Sequence, residues 1–320
     1  MTTIRSGAAN YPAVTALKAL AADVRAILGA GTKVGYAGDW SEYFGHHPGD
    51  GSGDVYFHLD PLWSDANIDF IGIDNYMPIS DWRDGWDHLD AAVAPAIYDR
   101  SYLQSNIAGG EGFVGFYASP VDRDSQTRTP ITDGAYGKPW VYRNKDLRSW
   151  WLNAHYNRPG GVQSGTATAW VPQSKPFWFT ELGCPAVDRA TNQPNVFFDP
   201  KSSESFTPYF SRGWRDDAIQ RAYLEATCLF WGAAANNAIS SVYAAPMVHV
   251  PEPLHSCGSR RGSRCFVPRT HRGTPRVPRR RSEQGLKEIY FSGGLCQHTL
   301  AAQRPPLPAK LLAHRSARCD

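Results

Sequence analysis

A single carboxylate, Glu181, ends an otherwise aromatic and apolar segment in the stretch KPFWFTELGCP. The residues before it are typical of a buried strand, which would hold the charge rigidly at the strand's exit. A carboxylate held in this way suits the nucleophile or base of a sugar-cleaving enzyme, which needs two carboxyl groups flanking the scissile bond. The structural alternative is a glutamate that caps the following turn or pairs with an arginine.

Two other apolar, strand-like segments, TKVGYAGDW and IDFIGIDNYMP, also end in polar residues. In (β/α) barrels the C-terminal ends of the strands carry the active site, so these residues are expected to converge on one mouth. The candidates are Asp39, Trp40 and Glu42 after the first segment, Asp74, Asn75 and Tyr76 after the second, and Glu181 with Trp178 in the third. Trp178 could form a wall on which a sugar ring stacks. Each carboxylate could instead simply stabilise a turn.

The order of elements predicts an α/β protein with a parallel sheet. Apolar residues at helical spacing predict one helix from Asn10, as its cap, to Gly29, and a second over 219–230. A Trp-rich insertion over 81–174 has one plausible helix, KDLRSWWLNAHYNR, and most tryptophans are expected in the core with two or three facing a groove. A dinucleotide-binding fold is disfavoured because no G-x-G-x-x-G is present.

Composition changes abruptly after Met247. From Val248 onward there are 14 basic and 4 acidic residues, against 19 and 26 before it, and none of the 11 tryptophans lies in that part. The sequence therefore predicts a domain over 1–247 and an Arg/Pro-rich tail over 248–320 that is disordered or read out of frame after a frameshift. A third interpretation is a nucleic-acid-binding arm, because clustered arginines neutralise phosphates.

No cofactor or metal is expected. The six cysteines include no close C-x-x-C pair, and His46 and His47 are adjacent instead of being at metal-ligand spacing. The N-terminus lacks the apolar segment of a signal peptide, and no stretch approaches a membrane helix. The chain is expected to be cytoplasmic when synthesised.

Several long motifs resemble one known family. DWSEYFGHHPGDGSGDVYFHLDPLWSD, IDFIGIDNYMPISDWRDGWDH and AWVPQSKPFWFTELGCPAVDRATNQPNVFFDPKSSES are similar to the TIM-barrel-like domain of the large tail-tip protein of gene transfer agents and related phages. The resemblance covers about Tyr11 to Met247. It implies the C-terminal part of a (β/α)8 barrel, with IDFIGIDNYMP as the sixth strand and FWFTELG as the seventh. The proton-donor strand of the family precedes the helix near Tyr11, so the barrel is expected to be incomplete and the donor is unassigned.

The resemblance implies a role in a phage-like tail tip or baseplate, alongside other tail proteins. The barrel would recognise, or once have cleaved, a host cell-surface or peptidoglycan-type glycan. The alternatives are an active glycosidase with Glu181 as nucleophile, and nucleic-acid binding through the tail. Because the donor strand is missing, this chain is expected to lack hydrolase activity.

Overall fold

The computed structural model describes residues 1–199, 201–203, 205–250 and 288–292. The strands in chain order are β1 (Lys33–Asp39), β2 (Phe70–Asn75), β3 (Gly115–Phe116), β4 (Thr129–Pro130), β5 (Phe177–Leu182), β6 (Val248–His249) and β7 (Glu288–Ser292). Five of them form a parallel sheet in the order β6-β5-β2-β1-β7, while β3 and β4 form a small antiparallel pair. The predicted α/β class with a parallel sheet is confirmed.

The helices are α1 (Pro12–Leu28), α2 (Asp60–Trp63), α3 (Arg100–Ser105), α4 (Pro120–Asp124), α5 (Leu147–Leu152) and α6 (Asp217–Gly232). Of the described helices, only α1 and α6 exceed two turns, and both were predicted from apolar spacing. None of the described helices combines the length and apolarity needed to cross a membrane.

The start of α1 differs from its prediction. Asn10 was expected to cap the helix, but Tyr11 occupies the N-cap position and makes no side-chain cap. Pro12 can begin the helix because the N–H that proline lacks has no partner in a first turn. Gly29 ends it with a φ of 71°, a left-handed conformation that favours glycine. Arg25, in the last turn, donates to the Gly29 carbonyl at 3.0 Å.

One face of the main sheet is covered by helices and tryptophans. Tyr36 of β1 packs against Trp63 with ring centroids 5.8 Å apart, and Phe177 of β5 packs against Trp150 at 5.7 Å. Ile73 of β2 is also fully buried on this face. The burial of these apolar side chains stabilises the packing of the sheet against α1 and the insertion.

The opposite face carries a row of stacked rings, and we call it the aromatic face. Trp178 of β5 stacks on Phe70 of β2 at 4.2 Å and on His249 of β6 at 4.6 Å. On β1 the neighbouring position is Gly35, where an added Cβ would lie 2.2 Å from the Phe70 ring. The absence of a side chain at Gly35 therefore makes room for the row.

The long insertion contains little regular structure. Its predicted helix reduces to the six residues of α5, capped by Asp146, which accepts the Ser149 N–H at 3.1 Å. Trp150 and Trp151 on α5 are fully buried, as most tryptophans were expected to be.

The sheet continues past the predicted boundary at Met247. Strand β6 lies beyond it and pairs with β5, and β7 lies inside the predicted tail and pairs in parallel with β1. The other predictions for the tail, namely disorder, a frameshift and arginines that bind nucleic acid, fall almost wholly on residues 251–287 and 293–320, outside the described residues.

Candidate functional site

Three carboxylates lie in one row across the carboxyl ends of adjacent strands. Asp39 of β1 is in register with Asp74 of β2, and Asp74 is in register with Glu181 of β5. The register between β2 and β5 shifts between Ile73 and Asp74, so β5 has one extra residue, Thr180, at that point. An extra residue in one strand moves the side chains that follow it to the opposite face of the sheet. As a result Glu181 shares the aromatic face with Trp178, three residues earlier.

Glu181 is exposed and receives a hydrogen bond from across the sheet. The Tyr76 hydroxyl, just after β2, donates to Glu181 Oε2 at 2.6 Å. Burial is the largest cause of a raised pKa at Tyr76, and the bond to Glu181 raises it further. The phenol therefore stays protonated at neutral pH and acts as a fixed donor beside the carboxylate.

Asp74 lies between the other two carboxylates and is partly buried. Burial raises its pKa, the charges of Glu181 and Asp39 raise it further, and the hydrogen bond from Thr180 acts in the opposite direction. Thr180 Oγ1 donates to Asp74 Oδ1 at 2.6 Å. The pKa of Asp74 is thus shifted toward the neutral, protonated form.

Asp39 also has a structural role in the turn after β1. Its Oδ1 accepts the Ser41 N–H at 2.8 Å, and its carbonyl accepts the N–H groups of Glu42 and Tyr43 at 2.8 and 3.1 Å. The turn interpretation considered for this residue therefore holds alongside its place in the row. Its carboxylate is exposed at the same edge as Glu181.

No cation in the described part of the chain neutralises the row. Among the described residues, none of Asp39, Asp74 and Glu181 forms an ion pair with Lys or Arg, and no group of three or more His, Cys, Asp or Glu side chains is arranged to hold a metal ion. Such a row repels anions and favours ligands that donate hydrogen bonds.

Glu42, predicted for the same mouth, is bound elsewhere. Its carboxylate accepts hydrogen bonds from the hydroxyls of Tyr36, at 3.5 Å, and Thr2. Thr2 in turn contacts His58 Nε2 at 3.2 Å. Burial is the largest cause of the raised pKa of Glu42. The residue follows β1 as expected, but its carboxylate contacts Tyr36 of β1 and Thr2 of the N-terminal segment.

Three further predicted residues are occupied by packing. Asn75 is buried and its Oδ1 accepts the Met77 N–H at 3.1 Å, closing the turn after β2. Trp40 packs partly buried against the core. Trp178 lies between Phe70 and His249, so both ring faces are covered. This geometry leaves Trp178 no free face for a sugar, because its stacking partners come from the strands on either side.

Thr180 was missed by the sequence analysis, because its role depends on the register shift, which no local pattern shows. The proton donor, which the sequence left unassigned, stays unassigned. Glu111 of the insertion is held by Arg123, whose Nη1 donates to Oε2 at 2.8 Å.

Comparison with curated proteins gives no match. Residues 1–257 match the family described as the GTA TIM-barrel-like domain, which agrees with the parallel sheet and with the polar residues at its carboxyl edge. The chain belongs to this family of gene transfer agent TIM-barrel-like domains.

Proposed function

We propose that this domain recognises a bacterial cell-surface or peptidoglycan-type glycan as part of a phage-like tail tip. The observation that carries the proposal is the row of Asp39, Asp74 and Glu181 with the Tyr76 hydroxyl bonded to Glu181. It lies at the edge of the sheet where TIM barrels place their ligand sites.

The chemistry of the row suits sugar hydroxyls. Carboxylates accept hydrogen bonds from neighbouring hydroxyl pairs, and charge-assisted bonds of this kind are stronger than neutral ones. The absence of a compensating cation among the described residues disfavours acidic polysaccharides and favours neutral or amino sugars. Among macromolecules at a cell surface, a glycan presents these groups most densely.

Glycosidase activity is the second candidate, and the raised pKa of Asp74 beside Glu181 is what favours it. In that mechanism Glu181 would be the nucleophile and a second carboxyl group would protonate the leaving oxygen. Asp74, however, lies on the strand next to Glu181 and on the same face, whereas glycosidases place their two carboxyl groups on either side of the scissile bond. We therefore expect binding without turnover.

Co-sedimentation of the full chain with purified bacterial peptidoglycan tests the proposal. The wild type should sediment with the glycan, and Glu181→Gln and Tyr76→Phe should reduce the bound fraction. Asp23→Asn, which removes an exposed carboxylate on α1, serves as the matched control and should bind like the wild type. Equal sedimentation of all four proteins would rule out this site, and release of reducing sugar that depends on Glu181 would favour the glycosidase instead.

A further inference from the structure

We propose that an exposed aromatic surface on the two segments that follow β2 and β5 holds a further stretch of the same glycan, so that the domain binds an extended polymer. This inference rests on the proposed function. The surface, which we call the aromatic loop surface, consists of Trp86, Tyr98, Arg212 and Trp214.

These rings are more exposed than any of the other nine tryptophans. Trp86 is 69% exposed, Trp214 is 62% and Tyr98 is 48%, while Trp63 and Trp150 are fully buried. Isolated exposed apolar residues are common, but neighbouring exposed tryptophans mark binding surfaces. Most tryptophans of this protein are buried, so the exposure of Trp86 and Trp214 indicates that these rings bind a ligand.

Ion pairs and hydrogen bonds hold the surface in place. Asp84, two residues before Trp86, accepts a hydrogen bond from Arg212 at 2.9 Å. The Arg212 guanidinium carbon lies 5.0 Å from the centroid of the Trp214 ring. Tyr98 donates to Asp216 at 2.5 Å. Because these contacts already restrict Tyr98, Arg212 and Trp214, these side chains lose less conformational entropy when a ligand binds.

Both loops leave the edge of the sheet that carries the candidate site. Trp86 and Tyr98 lie in the segment that follows β2 and Tyr76, and Trp214 lies in the segment that follows β5 and Glu181. Val187 forms a backbone bridge with Arg215, which brings the Trp214 segment back beside the residues that leave β5. Along the chain, the aromatic loop surface therefore follows the site residues at the ends of both β2 and β5.

The chemistry of this surface fits a sugar polymer. Sugar rings have apolar C–H faces that pack on aromatic rings, and hydroxyls that bond to planar groups such as guanidinium. Asp84 pairs with both Arg212 and Arg189, and Asp188 pairs with Arg189, so two carboxylates balance two guanidinium groups and the surface offers no excess of positive charge to a polyanion. A protein partner would also use Trp, Tyr and Arg, and the experiment must distinguish it.

The test is calorimetric titration of the full chain with N-acetylglucosamine oligomers of two and six units. Trp214→Ala and Trp86→Ala should each weaken binding of the six-unit oligomer by about tenfold, the value of one lost ring contact, and leave the two-unit oligomer within about twofold. Trp214→Phe, which keeps a ring, should recover most of the loss. Ile27→Ala removes an exposed apolar side chain on α1 and should change neither affinity.

The outcomes separate this inference from the function on which it rests. If Glu181→Gln weakens both oligomers while the tryptophan variants bind the longer one normally, the aromatic loop surface is wrong and the proposed function stands. If the wild type binds neither oligomer nor peptidoglycan, both are wrong. If the tryptophan variants bind glycan normally but lose self-association in sedimentation velocity, the surface is a protein interface and the inference is overturned.

Discussion

The Tyr76 hydroxyl and Glu181 Oε2, 2.6 Å apart, join the ends of β2 and β5 at the carboxyl edge of the sheet. Glu181 is the residue with the clearest signal in the sequence. The bond ties it to the residue that follows β2 and fixes the direction of the Glu181 carboxylate. It makes Tyr76 a positioning residue whose removal should affect ligand binding more than folding.

Tyr76→Phe should weaken glycan binding several-fold while lowering the free energy of unfolding by less than about 1.5 kcal/mol, because Glu181 is exposed and water can replace the lost donor. Calorimetric titration and chemical denaturation of the same preparations measure the two effects. A large loss of stability with unchanged binding would show that the bond serves the fold alone.

Asp74→Asn should stabilise the domain at pH 7. Because burial and the neighbouring charges raise the pKa of Asp74 above its unfolded value, the folded state holds its proton more tightly, and stability falls as pH rises through the folded pKa. The variant does not undergo this loss, and Thr180 can still donate to the new amide oxygen. Its melting temperature should exceed that of the wild type at pH 7, and the difference should disappear near pH 3.

Gly35→Ala should destabilise the sheet by about 1–3 kcal/mol, since the added methyl overlaps the Phe70 ring. The double variant Gly35→Ala with Phe70→Leu should lose less than the sum of the two single variants, because the smaller side chain makes room. Denaturant unfolding of the four proteins gives the coupling energy. If the effects of the two single variants simply add, Gly35 and the Phe70 ring do not pack against each other as the structure shows.

Lys145, in the insertion, should make stability depend on alkaline pH. The side chain is buried and donates to the carbonyls of Pro78 and Gly109 at 2.6 and 2.7 Å, and burial lowers its pKa to about 7. Between pH 7 and 9 the unfolded chain binds more protons, so the free energy of unfolding should rise with pH.

Lys145→Met should remove this dependence and cost about 1–3 kcal/mol at pH 7, because the carbonyls of Pro78 and Gly109 both lose their donor. Unfolding curves at pH 7, 8 and 9 for both proteins make the comparison. A wild-type stability that is flat or falls over this range would contradict the burial of a titrating amine.

The sequence predicted the strand ends well and their pairing poorly. Apolar runs that stop at Asp39, Asp74 and Glu181 were visible because strand cores and strand exits differ in composition. Their convergence at one edge of the sheet was also expected, but local patterns do not show register, so neither the pairing of each carboxylate with the next nor the role of Thr180 could be predicted. The same limit explains Trp178, whose stacking partners come from distant strands.

Helix capping and the insertion show a second limit. Asn10 has the residue type of a cap, yet the helix begins one residue later because tertiary packing of Tyr11, which is 6% exposed, overrides the preference. Within the insertion, structure is fixed by buried contacts such as those of Lys145 and Asp146, and no periodic pattern precedes them.

A crystal structure of the full chain soaked with the six-unit N-acetylglucosamine oligomer would show directly whether the carboxylate row binds sugar. We expect a sugar unit with hydroxyls within hydrogen-bond distance of Glu181 and Tyr76, at the carboxyl edge of β2 and β5. An oligomer bound only at a surface away from Asp39, Asp74 and Glu181 would contradict it.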